Sequence, residues 1–186
     1  MIKSLAELYV GNGSDKGTVH SFIEVYEDLL RPYRHSAIEV LEIGLCSGHS
    51  LLLWEQYFTA AKVRGIDICE QPYGGIGDLR PLIAQGTHLI YLMDACSTFE
   101  VNVYFKDMLF DVVIDDASHA PVDQSKIYAN FKDKMSTSGI YIVEDVADIE
   151  QTRALFTPEL LGKRTLEVLD RRSIKGRFDD VLFVIR

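Results

Sequence analysis

Five short apolar, β-rich runs recur along the chain with helical patterns between them, and this alternation limits the fold more than any other feature. The runs occupy residues 38–43, 62–68, 88–92, 110–114 and 140–143. Intervening segments such as 50–57 and 122–131 are long enough for crossover helices, the usual connection between parallel strands. The spacing therefore predicts an α/β chain built on a parallel sheet. Ahead of the first run, Ser21 and Glu24 have capping-box spacing, and Phe22, Val25, Tyr26, Leu29 and Leu30 keep helical periodicity as far as Pro32. A helix over that stretch is expected. After the fifth run the pattern changes, because residues 165–169 and 181–185 are β-rich but joined by a polar stretch too short for a crossover helix. These two are expected to pair antiparallel.

Composition narrows the function classes. The chain has 186 residues, 47% hydrophobic and 25% charged, which is the balance of a globular protein with one core. No repeat, linker or low-complexity tract divides it, so residues 1–186 are read as a single domain. Lys plus Arg number 19 against 28 Asp plus Glu, for a net charge of -9, and no basic block is present. That balance argues against a nucleic-acid partner. No apolar run approaches the roughly 18–20 residues of a membrane span, and the segment MIKSLAELYV lacks a signal peptide's apolar stretch. A cytoplasmic protein with no membrane partner is expected. Cys46, Cys69 and Cys96 are an odd number with no CxxC pair, which offers neither a disulfide framework nor a zinc cluster.

The segment VLEIGLCSGHS places Glu42, Gly44 and Gly48 between the first apolar run and a helical pattern. Open α/β sheets bind ligands at such strand ends, where glycine lets a ligand approach the backbone and the next helix presents amide groups. The spacing is ExGxxxG rather than the GxGxxG of dinucleotide enzymes. Asp67 ends the second run, where a carboxylate can accept hydrogen bonds from ribose hydroxyls, and Asp94 follows the third, within reach of an adenine amino group. Turn glycines and helix-capping aspartates are the bland alternative for each residue alone. Three consecutive strand ends carrying the expected types favour an adenosine ligand.

Acids gather after the next two runs. Asp115, Asp116, Ser118 and His119 follow DVVI, and Glu144 with Asp145 follow YIV. Neighbouring strand ends in a parallel sheet would bring these carboxylates together, and mutual repulsion calls for a compensating cation such as Mg²⁺ or another divalent ion. Adjacent strand residues point to opposite faces, so both members of a pair can serve one ion only where the strand has already ended. Asp116, Glu144 and Asp145 are the expected ligands, with Asp115 supporting the loop or the cofactor. Helix capping by the same acids is the structural alternative. His119, with an ordinary pKa of about 6.5, suits a general base beside that cation. His35, His49 and His88 lack such company and are read as solvent or core histidines.

With these residues in view, the chain resembles the metal-dependent sugar O-methyltransferases, the group of the macrocin, mycinamicin and rhamnosyl enzymes of antibiotic pathways, within the class I S-adenosylmethionine-dependent methyltransferases. The resemblance runs from SDKGTVH through LEIGLCSGHS and DDASH to YIVEDV. It implies a Rossmann-like, mostly parallel seven-stranded sheet with a C-terminal antiparallel hairpin. In that family the second Asp of DDxSH and the ED pair hold Mg²⁺ and the DDxSH histidine is the proposed base, which here means Asp116, Glu144, Asp145 and His119. The family's glycine loop and following acid, matched here by Glu42, Gly44, Gly48 and Asp67, imply S-adenosylmethionine, with Asp94 expected at the same ligand from its place after the third run. The segment Ser14-Asp15-Lys16-Gly17-Thr18, with His20 and Tyr26, resembles the region that lies over cofactor and acceptor in related enzymes. Asp15 and Lys16 are therefore expected at the cofactor, and residues 1–35 as a cover for the active site. Ala117 stands where relatives commonly have glycine, and the chain is short beside members that carry an extra amino-terminal domain.

The expected function is methyl transfer from S-adenosylmethionine to a hydroxyl of a sugar or glycosylated small molecule, with Mg²⁺ as second cofactor. A catechol acceptor and a non-catalytic S-adenosylmethionine-binding module are the alternatives. Only the resemblance suggests a homo-oligomer, in which a second copy would complete the acceptor pocket.

Overall fold

The computed structural model describes residues 2–69 and 78–186. Five parallel strands form the body of one sheet: β1 (Glu39–Ile43), β2 (Lys62–Asp67), β3 (Leu89–Leu92), β4 (Phe110–Asp115) and β5 (Met135–Val143). β6 (Leu166–Asp170) and β7 (Val181–Ile185) complete the order β3-β2-β1-β4-β5-β7-β6, with β7 antiparallel to both β5 and β6. The seven-stranded α/β sheet with its antiparallel hairpin is the architecture expected from the alternation of runs.

The strands are nearly continuous apolar runs because both faces of the sheet are covered. Val40, Val112, Ile114, Ile140, Ile142 and Val184 pack on one face with Tyr26, Trp54 and Leu82. That layer contains α1 (Leu5–Tyr9), α2 (Ile23–Leu30), α3 (His49–Tyr57) and α4 (Arg80–Gln85). Leu41, Ile43, Val113, Tyr141, Val143 and Phe183 face the other layer with Phe105, Tyr128 and Phe156. Its helices are α5 (Thr98–Phe105), α6 (Pro121–Phe131), α7 (Ile149–Leu155) and α8 (Pro158–Leu161). A single helical turn, α9 (Arg172–Lys175), lies between β6 and β7. Among the described residues no helix is long and apolar enough to cross a membrane.

Two local expectations are corrected. Ser21 does not cap α2, whose N-cap position is Phe22 with no side-chain bond. Its amide and hydroxyl instead donate to Asp180, at 3.0 and 2.7 Å. The capping box of this region is Ser4 with Glu7, at the start of α1. β5 also begins earlier than its apolar run, since Met135 already pairs with Phe110 before the register shifts and resumes at Val112 and Ile140.

Register places the strand ends on one rim. Ile43 lies beside Ile66 and Asp115, and Asp115 beside Val143. The ladder runs one residue further, with Gly44 N–H donating to Ile66, Asp116 N–H to Ile43 and Glu144 N–H to Asp115. Backbone pairing thus sets the glycine loop and both acidic loops side by side.

Candidate active site

Gly44 is the hinge between two loops. Its φ is +86°, and a Cβ there would stand 2.1 Å from the carbonyl oxygen of Asp116, so the loops after β1 and β4 touch only because this side chain is missing. Gly44→Ala is expected to cost at least about 1–3 kcal/mol from backbone strain alone and to separate the loops. Urea denaturation, with ligand binding measured on the same variant, checks both effects. The turn is tied by Asp67, whose Oδ2 accepts from the amides of Leu45 and Cys46 at 2.8 and 3.2 Å while Oδ1 accepts from Cys69 N–H at 2.6 Å.

A cleft of about 970 Å³ opens along this rim, lined by Gly44, Asp67, Met93, Asp94, Asp116 and Ile127 among others. Its size and its apolar walls with few polar groups suit a nucleoside-sized ligand. Of the residues expected at a cofactor, Gly44, Asp67 and Asp94 line the cleft. Gly48, with φ +79°, starts α3. Glu42 is fully buried beneath the rim and accepts from Trp54 Nε1 at 3.0 Å. Asp15 is exposed on the loop between α1 and α2, where its carbonyl accepts from the amides of Val19 and His20.

Lys16 stands apart from the cleft, at the centre of the acids. It is 1% exposed, and its Nζ lies 2.6 Å from Asp116 Oδ2, 2.6 Å from Glu144 Oε1 and 3.8 Å from Glu42 Oε1. Burial would strip the proton from this ammonium, but the three carboxylates outweigh it and hold the pKa well above the ordinary lysine value. Tyr26 OH adds a 2.5 Å bond to the same Glu144 oxygen. Burial pushes Glu42 up to about 7 against the pull of Lys16. Asp116 goes the other way, down to about 2, because Lys16 and His119 overcome the cost of its burial.

On the cleft side, His119 Nε2 is 3.0 Å from Asp116 Oδ1 and its Nδ1 is 3.7 Å from Asp145 Oδ2. The ring remains 40% exposed. Burial would lower its pKa, but the Asp116 carboxylate, with Asp145 and Glu144, raises it to about 9. Asp115 points away, accepting from Tyr141 OH at 3.0 Å within the other core layer. Among the described residues, the non-glycine residues with positive φ are Cys46, Cys69, His119 and Asp145. All four lie at this rim, where such strain accumulates in functional sites.

The carboxylates fit a divalent cation. Asp116 and Asp145 offer oxygen atoms that lie, with a ring nitrogen of His119, within 4.8 Å of one another. Carboxylate oxygens are the donors a hard ion such as Mg²⁺ prefers, which leaves the imidazole beside them free to exchange a proton. Of the three acids expected to bind metal, Asp116 and Asp145 therefore come together beside His119. Glu144 faces Lys16 and Tyr26 instead. The remaining histidines have local partners: His35 meets Thr59, His49 meets Ser47 and His88 meets Glu55.

Sequence reasoning missed the contribution of the C-terminal hairpin. Lys175 Nζ reaches the carbonyls of Gly17, Thr18 and His20, and Asp180 binds Ser21, so the segment carrying Lys16 is clamped from below. The partners are more than 150 positions apart in sequence, and no local pattern announces them.

This architecture, with its ligand cleft at the carboxyl ends of β1 to β4, is the class I S-adenosylmethionine-dependent methyltransferase fold. Within that class the chain is similar in sequence to sugar O-methyltransferases. It is 31% identical over 188 residues to the 8-demethyl-8-(2-methoxy-α-L-rhamnosyl)-tetracenomycin-C 3'-O-methyltransferase of Streptomyces olivaceus, covering 95% of this chain and 45% of that protein. It is 28% identical over 152 residues to the 8-demethyl-8-α-L-rhamnosyl tetracenomycin-C 2'-O-methyltransferase of the same organism, covering 78% and 38% respectively. Among solved structures, the MycE methyltransferase from the mycinamycin biosynthetic pathway, in complex with Mg, SAH and mycinamycin VI, superposes with a TM-score of 0.71 at 21% identity, over 99% of this chain and 54% of that one. The chain thus spans less than half the length of these curated relatives. No protein-family model matches it.

Proposed function

We propose that this chain is an S-adenosylmethionine-dependent, divalent-metal-dependent O-methyltransferase acting on a hydroxyl of a sugar or glycosylated small molecule. The observation that carries the reading is the contact at Gly44, which joins a nucleoside-sized cleft to the Asp116–His119–Asp145 group. The rhamnosyl 2'- and 3'-O-methylations named for the two relatives support the acceptor class. The net charge of -9 supports a small-molecule acceptor over nucleic acid. A cytoplasmic setting belongs to the same reading.

In this mechanism Gly44, Asp67 and Asp94 would border the cofactor, and Asp116 and Asp145, with Glu144 behind them, would hold Mg²⁺. A bound divalent ion would lower the pKa of the acceptor hydroxyl. His119 removes the hydroxyl proton on the cleft side of the acids. Its raised pKa means that the ring is protonated at neutral pH when Asp116 and Asp145 carry their full negative charge, so base function requires that charge to be neutralised. Lys16 and Tyr26 hold the far oxygens of Asp116 and Glu144 and keep the acids from relaxing apart. The rim positions donor and acceptor, and orientation is the protein's main contribution.

Calorimetric titration with S-adenosylhomocysteine, with and without Mg²⁺, followed by a methyl-transfer screen of nucleotide sugars and glycosides, tests the reading. Saturable nucleoside binding and product formation that stops on chelation are expected. Binding without product on any acceptor or metal would reduce the chain to a binding module.

A further inference from the structure

The loop that delivers Lys16 to the acids also delivers His20, for which the proposed chemistry has no use. His20 is 3% exposed and its ring stacks on Phe22 at 4.8 Å. Its Nδ1 faces Asp145 Oδ1 at 3.2 Å and Asp180 Oδ1 at 3.7 Å. Neither His20 Nδ1 nor Asp145 Oδ1 has a hydrogen-bond partner, although both are buried. Two orphaned polar atoms converging in an interior call for a ligand between them.

Asp179, just before β7 and also buried, supplies a third atom, and the ligand atoms of His20, Asp145 and Asp179 all lie within 4.8 Å of one another. Asp179 accepts from Arg177 Nε and Nη2 at 2.9 and 2.6 Å, and each carboxylate oxygen keeps a second lone pair. Asp180 is occupied by Ser21. Arg177 is the cation paired with Asp179, while His119 and Lys16 act on Asp145 from its other side, and Asp15 adds a further negative charge nearby.

We propose that His20, Asp145 and Asp179 form a second divalent-cation site, joined to the Asp116–His119–Asp145 group through the two oxygens of Asp145. Oδ1 of Asp145 turns to His20 and Oδ2 to His119, the disposition of a bridging carboxylate in a two-metal centre. One imidazole with two carboxylates suits Mn²⁺ or Zn²⁺ better than Mg²⁺, which prefers oxygen and retained water. The three ligands come from the N-terminal loop, the end of β5 and the start of β7. An ion there would pin the Lys16 loop to the sheet and fix the orientation of Asp145. Only the bridging role rests on the proposed first site, since the donor triad exists without it.

The test is Mn²⁺ binding to the full chain, counted by calorimetry and by electron paramagnetic resonance of free and bound ion. Two ions are expected per chain, with one lost or weakened at least about tenfold in both His20→Gln and Asp179→Asn. Circular dichroism confirms that each variant is folded, and Asp179→Asn tests the site without disturbing the stack of His20 on Phe22 that His20→Gln removes. Loss of ¹⁴N coupling from one bound Mn²⁺ in His20→Gln identifies the ring as a ligand. Equal stoichiometry and affinity in the wild type and both variants would overturn the second site. Asp116→Asn separates the two ideas, because an unchanged ion count there removes the first site while the His20 and Asp179 variants still decide the second.

Discussion

Lys16→Met is expected to destabilise the protein by about 3–5 kcal/mol at neutral pH, the cost of breaking a buried ion pair from one side. The methionine keeps most of the side-chain volume, so the loss isolates the charge. Lys16 is 1% exposed and Glu144 2%, which leaves solvent little opportunity to screen what remains. Without the ammonium, Asp116, Glu144 and Glu42 face one another uncompensated. The variant should therefore gain stability relative to the wild type on addition of Mg²⁺, and also on acidification, as these carboxyls take up protons. Urea denaturation with and without Mg²⁺ measures both effects. Wild-type stability in Lys16→Met would mean that the acids do not need an internal cation.

His119→Ala should lower kcat about 10²–10⁴-fold, the usual contribution of a positioned general base, and leave S-adenosylhomocysteine affinity within a factor of about two. Turnover within tenfold of the wild type would remove His119 from proton transfer. The same residue gives a pH signature. Its pKa of about 9 is set by Asp116, against the effect of burial, so in the metal-free protein, where the carboxylates are uncompensated, the imidazole titrates near that value. Neutralising Asp116 and Asp145 with Mg²⁺ should move the imidazole resonance titration down towards its ordinary value of about 6.5. The sign is fixed by electrostatics: a cation disfavours the imidazolium.

Strand positions were legible because each buried strand must be apolar on both faces, and β7, Val181–Ile185, matches its sequence run residue for residue. The early part of β5 was not, since Ser136, Thr137, Ser138 and Gly139 carry no apolar pattern. They are held by specific bonds, Ser136 Oγ to Asp111 at 2.7 Å and Arg164 to the carbonyls of Gly139 and Ser136. Ser21 read as a helix cap because its true partner, Asp180, lies at the other end of the chain.

The same division governs the site. Gly44, Asp67, Asp94, Asp116 and Asp145 stand at strand ends, and a strand end is visible in sequence. Lys16 was expected over the cofactor, yet the structure surrounds it with acids. The signal for that placement was present in the charge balance: several carboxylates converging on one rim require a cation, and the DKG lysine lies in a polar turn with no local partner. Its distance from Asp116 and Glu144 along the chain concealed the pairing.

The account depends most on the shared rim of cofactor cleft and acid group, and a crystal structure obtained with S-adenosylhomocysteine and Mn²⁺ tests it most directly. The nucleoside is expected beside Gly44, Asp67 and Asp94, with an anomalous peak between Asp116 and Asp145. Nucleoside density away from that cleft, or Mn²⁺ bound without contact to either aspartate, would contradict it.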